Sequence, residues 1–234
     1  ALSRAFDKPG SFVCIPGYEW SANTAVGGDR NVHYRHEGET IHRSSHAQIA
    51  DATDIVDAKS DAHTAQELFD KLKGKDCVVM AHVGGRYADV KFAHDPMETA
   101  VEVHSAWGTF EWIVRDAFEK NYRVGIVGNS DGHKGRPGAC YPGASFFGSY
   151  GGLTCFLAER LDRDAIFESM RRRRHYATTG NRALLDVSVT TAAPAEVFLR
   201  DPAAGPTTSE QSQRLIMGAI ARVADGEVAL AIDV

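Results

Sequence analysis

Cys77-Val78-Val79-Met80-Ala81-His82-Val83-Gly84-Gly85 decides the fold. Its apolar run has no charged side chain to mark a wet face, which is how a strand buried on both sides of an α/β sheet reads. The run stops at an imidazole followed by two glycines, and glycines there let backbone approach a ligand closely. Just upstream, Thr64 to Lys73 reads as an amphipathic helix. Thr64 and Glu67 form its capping box, and Leu68, Phe69 and Leu72 form its apolar stripe. Outward from this pair the chain keeps alternating. Helices are predicted over Phe110 to Lys120, capped by Thr109, and over Asp164 to Arg174, with strands over Arg123 to Val127 and Leu153 to Leu157. Repeated strand-helix units make the fold class α/β. Beyond Gly180 the pattern changes to short alternating stretches, Leu185 to Val189, Val197 to Leu199 and Val228 to Val234, with a polar loop or linker from Asp201 to Gln213. Residues 1–180 are therefore expected to form the main domain and 181–234 a β-rich extension, with the boundary near Thr179 to Arg182.

Three further apolar stretches end as the first one does. Phe12-Val13-Cys14-Ile15 leads to Glu19, Val101-Glu102-Val103 to His104, and Val124-Gly125-Ile126-Val127-Gly128 to Asp131 and His133. Strands that finish in carboxylates and imidazoles are how an α/β barrel builds a site at its carboxyl-terminal rim. Each residue alone has a plainer explanation. An isolated Asp-x-His is more often a capped turn, a lone strand histidine is more often a satisfied core residue, and Glu19 between Tyr18 and Trp20 could be a surface carboxylate. Glu102 and His104 stand two apart on one strand and so are expected to share a face, one ligating while the other orients it, unless Glu102 merely caps a neighbouring turn. Taken together, Glu19, His82, His104, Asp131 and His133 read as metal ligands, and their mixed nitrogen and oxygen donors suit zinc, manganese or iron. Two or more such cations can activate water as hydroxide and offset charge on a phosphoryl or acyl oxygen, so hydrolysis is the natural reaction.

Gly132 to Gly152 is rich in glycine and carries Lys134 and Arg136 directly after the Asp-x-His. Such a segment could cradle a phosphate or carboxylate beside the catalytic Asp131 and His133, or could be a solvated connection. Gly27 to His46, with four histidines and three arginines, is a lid, an extra metal site or an exposed polar stretch. The formal net charge of -5 gives no general attraction to nucleic acid or anionic membrane, so the expected partner is a small anion held locally. Arg171 to Arg174 lie at a predicted helix end, where cations are favourable in any protein, and carry no DNA-binding reading. Cys14, Cys77, Cys140 and Cys155 form no C-x-x-C pair, no apolar run is long enough for a bilayer, and the opening decapeptide has no signal-like segment. A reduced, cytoplasmic protein is the simplest expectation, with disulfides the alternative that an even cysteine count leaves open.

Ile15-Pro16-Gly17-Tyr18-Glu19, Ala81-His82, Val101-Glu102-Val103-His104 and Asn129-Ser130-Asp131-Gly132-His133 resemble the ordered motifs of the polymerase and histidinol phosphatase (PHP) superfamily. Gly27 to Val32, Val83 to Asp89, Trp107 to Trp112 and His175 to Gly180 resemble a bacterial branch of it defined only as a domain of unknown function. The resemblance covers most of Ser11 to Arg182. It implies a distorted (β/α)7 TIM-like barrel, up to three metal ions and phosphoesterase activity. It also implies that Glu19 bridges two metals, that His82 and His104 bind one of them and Asp131 the other, and that His133 binds a third. Members carry an H-x-H pair and further histidines before the glutamate. Nothing ahead of Glu19 matches these, so the barrel is expected to be incomplete at its N-terminus and this stretch of chain to be short of metal ligands. Two alternatives remain at this stage: a non-catalytic ligand-binding or scaffold domain on a degenerate barrel, and a metal-dependent amide or lactone hydrolase.

Overall fold

The computed structural model describes residues 2–44, 58–93, 97–136, 147–224 and 226–234. His46 and Cys140 lie outside them. Helix α1 (Leu2–Phe6) precedes strands β1 (Gly17–Trp20) and β2 (Arg30–Tyr34), helix α2 (Ala65–Leu72) and strand β3 (Cys77–Ala81). Then come β4 (Glu98–Ser105), β5 (Gly108–Thr109), α3 (Glu111–Glu119), β6 (Gly125–Gly128), β7 (Leu153–Phe156), α4 (Arg163–Arg171) and β8 (His175–Thr178). Strands β9 (Asp186–Phe198), β10 (Ser209–Ile216), β11 (Ile220–Arg222) and β12 (Val228–Asp233) complete the chain.

Strands β1 to β6 form one mixed six-stranded sheet in the order β1-β2-β3-β4-β5, with β6 also on β4. The alternation within β3 shows how its two faces are used. Cys77, Val79 and Ala81 pack toward clusters that include α2 (Leu68, Phe69, Leu72) and α3 (Ile113, Ala117). Val78 and Met80 pack with Phe167 and Met170 of α4. Burying a leucine or phenylalanine of this kind contributes about 1.5–3 kcal/mol. Helix α2 starts where its sequence says it should, with the Thr64 hydroxyl accepting from Glu67 N and a Glu67 carboxylate oxygen accepting from His63 N. Helix α4 begins one residue earlier than expected, at Arg163, because Asp162 caps it, accepting from Ala165 N at 2.8 Å. The Thr109 hydroxyl does not cap α3; it bonds His104.

The expected seven-stranded barrel is not formed. Strands β1, β2 and β3 are successive antiparallel neighbours, and only β3, β4 and β6 run parallel. A parallel barrel needs a crossover between consecutive strands, whereas only a short 3-10 turn, Thr24–Val26, separates β1 from β2. Strands β7 and β8 pair with each other in a separate antiparallel ladder, so the sheet stays open. Part of the stretch expected to be a lid or an exposed segment is β2, an interior strand. Its Arg30, Val32 and Tyr34 are buried on one face, and the Arg30 side chain is fully buried against Glu98, Nε to Oε1 3.0 Å. Gly28 O and Asp89 O accept from the same guanidinium at 3.1 and 3.0 Å.

The second sheet is all antiparallel, with β9 central between β10 on one side and β11 and β12 on the other. Its β10 occupies part of the segment expected to be a linker. Arg123 on the strand-rich body pairs with the buried Asp201 at 2.7 Å. No helix among the described residues is long and apolar enough to cross a membrane.

Candidate metal centre

Three donor side chains from separate strand ends meet on one side of the mixed sheet. Glu19 lies in β1, His82 directly follows β3, and Asp131 lies past the end of β6. His82 Nε2 stands 3.9 Å from Glu19 Oε2 and 3.6 Å from Asp131 Oδ2. One ligand atom from each of the three falls within 4.8 Å of the others. Tetrahedral donors about 2.1 Å from a zinc-like ion would stand roughly 3.4 Å apart, so a small contraction closes this group around one cation. Behind it, His82 Nδ1 is bonded to Glu102 Oε2. That pairing of a carboxylate with the far nitrogen of a histidine fixes the ring and leaves Nε2 for a metal. Glu102 is fully buried, and its Oε1 has no hydrogen-bond partner.

The electrostatics also call for a cation here. Burial by itself disfavours a charged His82, but the hydrogen bonds to Asp131 and Glu102 and the charge of Glu102 and Glu19 raise its pKa to about 11. An imidazole so surrounded by carboxylates holds either a proton or a metal. The local backbone is built around the same point. Asp131 sits at φ 43°, in the left-handed region that non-glycine residues seldom enter. A Cβ on Gly84 would come within 2.9 Å of His82 Nε2 and 3.2 Å of Asp131 Oδ2, so the glycine after β3 keeps this space open. Asp29, which the sequence reading did not single out, ties the parts together. Its carboxylate accepts from Ala22 N at 2.8 Å and Arg86 Nε at 3.1 Å, and its carbonyl accepts from His82 N. Its only advance signal was its place between a glycine pair and the strand that begins at Arg30.

The other expected ligands are placed differently. His104 Nε2 donates to Tyr150 O at 2.9 Å, which leaves Nδ1 to accept from the Thr109 hydroxyl at 2.8 Å. Neither nitrogen has a lone pair left for a cation. The cause is a bulge in β4: Glu102 pairs with Val127 but His104 with Gly128, so Val103 is an extra residue and the two side chains no longer share a face. His133 is exposed and does not line the cleft, its Nδ1 donating to Asp131 O at 2.8 Å and its ring edge-on to Phe147, which stacks on Trp107. Lys134 and Arg136 are exposed on the following segment and do not line the cleft.

That cleft, of about 680 Å³, is lined by Glu19, His82, Glu102 and Asp131, by Asn31, His33, Asn129 and Ser130, and by apolar side chains of which Met80, Met170, Ile15, Phe156 and Ile166 pack in one cluster. Desolvation pushes the pKa of His33 down to about 4, so its ring is neutral near pH 7.

No protein-family model matches the chain. No curated protein matches it either. Among solved structures, a two-domain protein from Bacteroides vulgatus ATCC 8482 containing a predicted PHP-like metal-dependent phosphoesterase superposes with a TM-score of 0.43 at 14% sequence identity. The alignment covers 91% of this chain and 67% of that one.

Proposed function

We propose that the chain is a metal-dependent hydrolase of phosphoesters. The observation that carries this reading is the convergence of Glu19, His82 and Asp131 within 4.8 Å, backed by Glu102 on the far nitrogen of His82. Glu19, His82 and Asp131 would hold a divalent cation, with zinc, manganese and iron as the metals that accept such a mixed donor set. When bound, the cation acidifies a water and offsets charge on the phosphoryl oxygens. The rest falls to the chain. Glu102 accepts the Nδ1 proton of His82 and holds the ring in the tautomer that presents Nε2. Asn31, Asn129 and Ser130 line the same cleft and offer polar groups to substrate oxygens. Overall, the oxygen of water adds to phosphorus, the bond from phosphorus to the leaving alcohol breaks, and one proton of the water ends on that alcohol. The choice of a phosphoester over an amide or lactone draws on the motif resemblance.

Elemental analysis of purified protein, paired with turnover of generic phosphoester, amide and lactone probes, tests the reading. Bound zinc, manganese or iron and phosphoester turnover are expected. Asp131→Asn should lower metal occupancy and turnover at least tenfold while leaving the circular-dichroism spectrum intact. Full activity in a metal-free preparation would refute the mechanism.

A further inference from the structure

The cleft beside the metal group has two unlike ends. At one end the charged side chains are Glu19, Glu102 and Asp131, and among the described residues no lysine or arginine lines any part of it. With those carboxylates ionised and a single divalent cation bound, the lining keeps one net negative charge. A phosphomonoester, which is close to dianionic at neutral pH, would enter against that charge. The other end is walled by Phe12, Ile15, Met80, Phe156, Leu161 and Met170. Met80 and Met170 are buried floor, whereas Phe12 and Leu161 remain 54% and 46% exposed. Apolar walls beside a few convergent polar groups are the usual make-up of a pocket for an organic ligand, and methionines adapt to varied shapes.

Resting on the hydrolase reading above, we propose that the substrate is a phosphodiester carrying an apolar alkyl or aryl group, bound with its single negative charge at Glu19, His82 and Asp131 and its apolar group between Phe12, Leu161 and Met170. The continuity of the two ends within one cleft supplies the reason. The hydrocarbon half of such an ester suits the apolar end, and a monoanion is repelled by the weakly negative end about half as strongly as a dianionic monoester would be.

The test uses the full chain loaded with manganese and a series of 4-nitrophenyl alkyl phosphodiesters, methyl through octyl, against 4-nitrophenyl phosphate. The value of kcat/KM is expected to rise roughly three- to fourfold per added methylene until the cleft is filled, and to exceed that for the monoester. Phe12→Ala and Leu161→Ala, both at partly exposed positions, should flatten the series, lowering kcat/KM for the octyl diester far more than for the methyl diester. Calorimetry with dibutyl phosphate against inorganic phosphate, with and without manganese, reads binding without turnover, and tighter binding of the dialkyl ester is expected. Metal-dependent turnover with a flat series, or a preference for the monoester, overturns the inference and leaves the hydrolase standing. Absence of metal-dependent turnover on every ester sinks the hydrolase reading instead. In that case dibutyl phosphate binding decides the cleft by itself: binding lost in Phe12→Ala supports the apolar end, and no binding refutes it.

Discussion

Replacing Glu98 by glutamine removes one charge from an ion pair that water cannot reach. Arg30 is 0% exposed and Glu98 2% at the side chain, with Nε and Oε1 3.0 Å apart. Breaking one partner of a buried pair typically costs about 3–5 kcal/mol, because the remaining charge is stranded. Here the guanidinium keeps carbonyl acceptors at Gly27, Gly28 and Asp89, so the lower end, about 3 kcal/mol, is the relevant figure. For a domain of this size each kcal/mol moves Tm by roughly 2–4 °C, so Glu98→Gln should melt about 6–12 °C below the wild type. The assay is thermal unfolding followed by far-ultraviolet circular dichroism at fixed pH and protein concentration, with the urea midpoint as a second readout. Arg30→Met/Glu98→Leu should recover most of the loss, since a hydrophobic pair of similar volume has no charge to desolvate. A single variant within about 2 °C of wild type would show that the pair does not hold β2 against β4, and the buried-charge reasoning would fail. The outcome bears on the metal group as well. Strand β2 lies between β1, which carries Glu19, and β3, which ends at His82.

Three further predictions concern the metal centre. Metal binding must displace the His82 proton, whose pKa is about 11, so affinity should rise about tenfold per pH unit between pH 6 and 8; isothermal titration at several pH values reads it, and a pH-independent affinity would exclude His82 as a ligand. Without metal the sign reverses for stability. The raised folded pKa of His82 gives a contribution that is complete below its ordinary 6.5 and falls away as pH climbs toward about 11, so the metal-free protein should melt progressively lower above pH 6.5. Glu102→Gln should weaken metal affinity about 10- to 100-fold, the usual effect of losing the residue behind a ligating histidine; an unchanged dissociation constant would mean that the tautomer is set by something else.

The parts of the fold carried by local chemistry were legible in the sequence. The all-apolar β3 and the capped α2 lie where their residues place them, because burial and capping act over a few neighbouring positions. What failed depended on distant partners. A strand beginning with arginine reads as exposed, and Glu98, 68 positions away, together with the carbonyls of Gly27, Gly28 and Asp89, makes Arg30 a core residue. Strand β10, SEQSQRLI, has no apolar alternation because most of it stays exposed at the border of the second sheet. Phe12 to Ile15 looks like a strand, but Phe12 makes an isolated bridge with Lys8 and the segment walls the cleft. In the candidate site, Glu19, His82 and Asp131 come together because Glu19 lies in a strand of one sheet and the other two lie just past strands of the same sheet. The place of His104 could not be inferred from spacing, since the bulge depends on how β4 aligns with β6.

That surplus residue at Val103 has a wider meaning. A strand alternates its side chains like the two colours of a chessboard row, and one additional square inverts every colour beyond it. Whether His104 joins the donor group is therefore governed by where the ladder miscounts, with no change in which amino acids are present. Chains of nearly the same composition could hold one ion or several, according to the parity of a single strand.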